Sequence, residues 1–154
     1  MAAEVKPIPD GYVGAIPYLC CKDASAEIDF CRAAFGAVES MRMDHDGRVG
    51  HAELKIGDAT IMLSDEYPEM GVVSPETLGG TPCAIHLYVQ DVDTVYAKAV
   101  AAGAEVLRPL ENQFYGDRGA KLRDPAGHFW LIATHIEDVA PDEMKRRAAA
   151  LFGG

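Results

Sequence analysis

Positive charge is scarce in this chain of 154 residues: 14 Lys and Arg stand against 24 Asp and Glu, a formal net charge of −10. A phosphate backbone or an anionic membrane would be repelled by that balance. No nucleic acid and no membrane is therefore expected as partner, and a cationic or neutral small molecule is favoured. Long hydrophobic runs are also missing. The apolar stretches are broken by Asp, Lys or Gly well short of the ~20 residues that a spanning helix needs. The first ten residues carry Glu4, Lys6, Pro7 and Pro9 and lack the apolar centre of a signal peptide. Cysteine is sparse too. Cys20, Cys21, Cys31 and Cys83 form no C-x-x-C pair, so neither a disulfide framework nor a thiolate zinc site is expected. They read as buried thiols of a cytoplasmic protein.

What is present is ordinary globular material, 49% hydrophobic and 25% charged. A chain of this length folds as one compact domain or as two small repeats sharing a core. It buries roughly 68–70% of its unfolded surface, enough to fold without covalent staples.

The chain repeats itself. Ile16–Leu19, Lys22-Asp23, an amphipathic stretch and Ala34-Phe35-Gly36-Ala37-Val38 match Ile85–Val89, Gln90-Asp91, a second amphipathic stretch and Ala101-Ala102-Gly103-Ala104-Glu105-Val106. The offset is close to 68 residues, and it also aligns Ala52-Glu53-Leu54-Lys55 with Ala120-Lys121-Leu122-Arg123. Such duplication dictates architecture. The first helix is predicted over 24–35, with Ala24, Ile28, Cys31 and Phe35 on one stripe, Asp23 as its cap and Gly36 as its stop. The second is predicted over 92–102, between Asp91 and Gly103. Alternation predicts strands over 49–56 and 59–64, joined by Gly57-Asp58, and over 120–123 and 128–134, joined by Asp124-Pro125-Ala126-Gly127. Each half thus reads β-α-β-β-β, an α+β fold. The predicted organisation is an N-terminal extension (1–14), a first module (15–64), a Pro- and Gly-rich linker (65–82), a second module (83–135) and a C-terminal helix (136–154) whose apolar edge is Met144, Ala148 and Leu151.

Three stretches carry a resemblance: His51-Ala-Glu-Leu-Lys-Ile-Gly-Asp with Ile61-Met-Leu-Ser-Asp, then Tyr115-Gly-Asp-Arg-Gly, then Asp124-Pro-Ala-Gly-His-Phe-Trp with Ala133-Thr-His. With the doubled βαβββ pattern, they resemble the vicinal oxygen chelate superfamily, which includes glyoxalase I, extradiol dioxygenases, and fosfomycin and bleomycin resistance proteins, and within it the PhnB-like branch. The resemblance implies a cup-shaped mixed sheet. In metal-using relatives four strands each offer one ligand to the cup, typically His or Glu. Mapped onto this chain those positions are Pro17, Met62, Ala84 and Leu131, none of which is a metal donor. The resemblance therefore implies a protein without a metal or other cofactor that binds or sequesters a drug-like or aromatic molecule. The rival is an isomerase, lyase or dioxygenase with a relocated site, or a metal-free catalyst using His86 or Glu53 as base.

The expected ligand-binding residues follow from parity. His51 and Glu53 share a strand face and either line the cup or form a solvated wall. His86 and Tyr88 share the face of Ala84. Met62, Phe129 and Leu131 make an apolar floor, while Trp130 turns to the helix side. His51, Glu53 and His86 together make a displaced metal site only as a minor alternative. Tyr115 could stack on a guest and Arg118 could hold an anionic group, or Arg118 could pair with Asp117, Asp124 or another carboxylate to fix the fold. Open strand edges predict a homodimer.

Overall fold

A computed structural model describes residues 4–153. Its first module runs β1 (Tyr18–Cys21), α1 (Ala24–Phe35), β2 (Val38–His45), β3 (Arg48–Ile56) and β4 (Ala59–Asp65). The second runs β5 (Ala84–Tyr88), α3 (Val92–Ala101), β6 (Glu105–Asn112), β7 (Asp117–Arg123) and β8 (Phe129–His135). The linker carries a 3-10 turn (Pro68–Met70) and the short helix α2 (Pro75–Leu78), and α4 (Pro141–Phe152) follows the second module. The doubled βαβββ pattern is thus realised. Each module forms one mixed four-stranded sheet, in the orders β1-β4-β3-β2 and β5-β8-β7-β6. The first strand of each runs parallel to the last, Tyr18 opposite Met62 and His86 opposite Leu131. No helix among the described residues is long and apolar enough to cross a membrane.

Local signals explain the helices. Asp23 accepts a hydrogen bond from the amide of Ala26, and Gly36 takes the left-handed stop of α1 at φ 67°. Asp91 caps α3 through the amide of Thr94. One sheet face then meets the helices. Leu19, Cys21, Ala52, Leu54, Ile61 and Leu63 of the first sheet join Ala120, Leu122, Trp130 and Ile132 of the second in one continuous core, together with Ile28, Phe30 and Cys31 of α1 and Val92 and Ala99 of α3. The modules share this core through α1 and α3, and the Phe35 ring lies 4.5 Å from that of Trp130. Among the described residues no helix packs extensively on the opposite face of either sheet.

Several boundaries differ from expectation. The first strand begins at Tyr18, two residues later than predicted, because Pro17 has no amide to donate into the ladder. Tyr18, not Pro17, therefore stands opposite Met62. Strand β7 begins at Asp117 rather than Ala120, since pairing with β8 extends to Asp117 opposite His135. Helix α1 buries Glu27 along with Ala24, Ile28 and Cys31 of the predicted stripe, while Phe35 is half-buried. The N-terminal extension lies on the protein: Lys55 and Thr60 both donate to the carbonyl of Gly11, and the Lys55 ammonium sits 5.5 Å from the Tyr12 ring centre.

Candidate functional site

Between the two edge strands β1 and β5 runs a groove of about 530 Å³. Ile16, Pro17 and Tyr18 line one side, Ala84, Ile85 and His86 the other, and His128 and Phe129 close it. The His128 Nε2 atom lies 2.9 Å from the carbonyl oxygen of Cys20, so a side chain of the second module holds the first strand of the other. The groove has the usual make-up of a ligand site, an apolar lining with a few polar atoms. It opens onto the sheet faces without helices. There Met62 is the cross-strand neighbour of Tyr18, and Leu131 that of His86.

Each of these faces carries one hydrogen-bonded network. On the first sheet Glu53 Oε1 is 3.0 Å from His51 Nε2, and the Tyr18 hydroxyl is 2.8 Å from His51 Nδ1. An ionised carboxylate only accepts, so His51 Nε2 donates to Glu53. Tyr12 donates to the other oxygen of Glu53. The bonds from Tyr12 and His51 hold the Glu53 carboxyl below its ordinary range. Glu53 is therefore a covered group, 5% exposed, and not an open cup wall; the N-terminal segment supplies the cover that sequence parity could not reveal.

On the second sheet Tyr88 donates to Asp117 Oδ2 at 2.6 Å, and Asp117 Oδ1 accepts from His135 Nδ1 at 2.8 Å. His135 Nε2 reaches Asp138 at 2.9 Å. Burial pushes the Asp117 carboxyl up, but the bonds from Tyr88 and His135 outweigh it and hold it low. Asp138 and then Asp117 push His135 up, favouring the imidazolium. Bonding to Asp117 pushes the Tyr88 phenol up, so it keeps its proton. The ring of His86 lies 4.6 Å from that of Tyr88, forming an exposed aromatic shelf. Asp117 and His135 both stand in stretches noted for their resemblance, yet only the pairing of β7 with β8 brings them together.

Of the residues read from sequence, the structure places Tyr88, His86, Leu131 and Phe129 on the face of the second sheet, and His51, Glu53 and Met62 on that of the first. Arg118 is not among them. It belongs to β7, one residue from Asp117, and so points to the opposite face. There it makes a two-pronged ion pair with Asp93 at the start of α3, at 2.8 and 2.9 Å, and donates to Asn112. This is the fold-fixing role, and its partner is Asp93 rather than Asp117 or Asp124, the two carboxylates named from the sequence. Tyr115 stacks edge-on against Phe114 at 5.2 Å in the turn before β7. Asp124 also serves the fold: it accepts from the amide of His128 and from Trp130 Nε1.

Burial pushes the thiols of Cys21 and Cys31 up, which keeps them protonated. Cys21 and Cys31 are buried as expected, while Cys20 is half-buried and Cys83 is exposed at the groove, which corrects the uniform reading. Burial, then Glu66 and Asp65, push the Cys20 thiol up to about 11. The residues at the four strand positions do not suit a divalent ion. With the first moved to Tyr18, opposite Met62, and the third by the same register to His86, opposite Leu131, they are Tyr18, Met62, His86 and Leu131, and a single imidazole among aliphatic, thioether and phenol side chains is a poor donor set for Zn, Mn or Ni. Among the described residues no three His, Cys, Asp or Glu side chains are grouped to hold a metal.

Comparison with known proteins agrees with this architecture. An uncharacterized protein of Mycobacterium bovis is 43% identical over 149 residues, covering 94% of each chain. The crystal structure of TioX from a Micromonospora species has 28% sequence identity and a TM-score of 0.63, covering 79% of this chain and 97% of that one. A gene product of Arabidopsis thaliana has 25% identity and the same TM-score, covering 79% and 98%. The family model of the glyoxalase/bleomycin resistance protein/dioxygenase superfamily matches residues 12–132. This chain therefore belongs to that superfamily.

Proposed function

We propose that this protein binds and sequesters a small aromatic or drug-like molecule without a metal ion, as a member of the PhnB-like branch of its superfamily working in the cytoplasm. The observation that carries the reading is the lining of the groove between β1 and β5. Its apolar walls, Ile16, Pro17, Ala84, Ile85 and Phe129, are joined by the aromatic edges of Tyr18 and His86, where metal-using relatives offer ion ligands. Burying an aromatic guest of ~200 Å² contributes about 5 kcal/mol before the costs of association, enough for useful affinity with no covalent step. The proposal includes a homodimer. Edge strand β2 exposes Val38, Met41 and Met43 on the sheet face that carries Glu53, and a second copy would cover such a surface.

A panel of aromatic and drug-like compounds in a thermal-shift assay tests the reading. Stabilisation by some of them, lost on changing Phe129 or His86 to Ala, is expected. Native mass spectrometry of untagged protein should find no tightly held divalent ion, and one such ion per chain would overturn the reading. Light scattering at micromolar concentration should return twice the chain mass.

One observation favours a second reading, a metal-free catalyst. The His86 imidazole is exposed and has no hydrogen-bond partner among the described residues, so both ring nitrogens are open to a ligand, whereas Glu53 is engaged by Tyr12 and His51. A His86→Ala variant that binds its ligand normally but loses turnover would favour catalysis.

A further inference from the structure

The two sheets carry the same transverse row of side chains with different chemistry. Across the first sheet, on the face without a helix, Met41, Glu53, Met62 and Tyr18 are successive cross-strand neighbours. Across the second, the equivalent row is Arg108, Lys121, Leu131 and His86. Neighbours in such a row stand about 4.5–5.5 Å apart between Cβ atoms, close enough to act on one ligand.

The charge in the first row is answered within the chain, because Glu53 receives Tyr12 and His51. The charges in the second row are not. Among the described residues neither Lys121 nor Arg108 forms an ion pair, although Arg123 beside them is matched by Glu105. Lys121 instead places its ammonium 4.7 Å from the ring centre of Phe129, a groove residue. The Arg108 Nε atom is shielded from solvent and has no acceptor. A desolvated guanidinium donor without a partner is costly, and an oxyanion is the group that would satisfy it. Glu111 stands opposite Gly119 on the same strand pair and makes no ion pair with either cation.

We propose that the second sheet binds the anionic end of the guest, a carboxylate, sulfonate, phosphonate or phosphate, through Arg108 and Lys121, while Phe129 and the groove hold its apolar body. This rests on the small-molecule reading above and names the class of guest. It departs from the cationic preference that the net charge of the chain suggests. Net charge is a sum over the whole surface, whereas a bound ligand responds to charges within about 8 Å at physiological ionic strength.

Three probes with one apolar body separate the alternatives: 2-naphthoate, neutral 2-naphthol and 2-naphthylmethylammonium, titrated calorimetrically into the full chain. The naphthoate should bind at least about tenfold tighter than the other two, and added salt should narrow the gap. Lys121→Gln and Arg108→Gln should each cost the naphthoate about tenfold and leave naphthol within about twofold. Lys121 is not in the core, so its variant carries the test even if the Arg108 variant folds poorly. Equal or tighter binding of the ammonium or the neutral probe overturns the anion site while leaving the small-molecule reading intact. Binding of none of the three overturns both. Variants that halve the mass in light scattering while naphthoate affinity holds would assign the two cations to a contact between copies, and the anion site would fall.

Discussion

Tyr12 sets its hydroxyl 2.5 Å from Oε2 of Glu53, tying the N-terminal segment to the middle of β3 across 41 positions. The bond explains why a carboxylate on a sheet face without a helix is nearly inaccessible. It also has a pH signature. A carboxyl whose folded pKa is lowered stabilises the fold above its unfolded pKa, and that stabilisation is lost as pH falls through the folded value. Tyr12→Phe should move the Glu53 titration, followed by carboxyl carbon NMR, up toward the ordinary range and weaken this acid-side dependence. An unmoved titration would mean that His51 alone holds the carboxylate.

Glu27 of α1 and Asp124 of the β7–β8 turn bring two buried carboxyl groups together across the module boundary. Burial, reinforced by Asp124, pushes Glu27 up to about 10, so it is a neutral acid at pH 7. The folded state thus keeps a proton that the unfolded chain releases near the ordinary value of 4.5, and stability falls as pH rises from there toward 10. Glu27→Gln keeps the shape without the proton. Denaturant unfolding at about pH 6 and about pH 9 should show the parent losing stability at the higher pH and the variant losing much less. Equal slopes would place the pH dependence elsewhere.

Trp130 spends its indole N–H on Asp124 Oδ2 at 2.8 Å while its ring packs on Phe35. Trp130→Phe keeps an aromatic ring but leaves a buried carboxylate oxygen without its donor, which should cost about 1–3 kcal/mol in equilibrium unfolding. A loss below about 0.5 kcal/mol would show that another donor, or water, replaces the indole.

Gly116 sits at φ 98° with the carbonyl of Glu137 against the place a Cβ would occupy. Its own carbonyl accepts the amides of Ile136 and Glu137, which fixes the chain leading to α4. Gly116→Ala combines a left-handed backbone with a backbone clash. It should cost about 1–3 kcal/mol and lower the melting temperature. Faster amide exchange at Ile136 and Glu137 is the local readout, and an unchanged melting temperature would contradict the packing described.

The sequence alone determined the architecture, because a duplicated pattern of period-2 and period-3.6 stretches can bury its apolar faces in few ways. Asp23, Gly36 and Asp91 signalled helix ends through chemistry that acts within a few residues, and the parity of Met62, Leu131, His86 and Tyr88 followed from strand alternation. Other features depended on contacts between residues distant in the chain. Strand pairing drew Asp117 and Arg118 into β7 and turned them to opposite faces, one to Tyr88 and His135, the other to Asp93. Tertiary packing laid Tyr12 over Glu53, and no periodicity encodes the path of such a segment. The unmatched pair of Arg108 and Lys121 became visible only with the register of β6 on β7, where bulges break the simple count between strands. Local rules specify what each segment becomes, while the surroundings of a charge are decided by whichever remote groups the fold brings within a few ångströms.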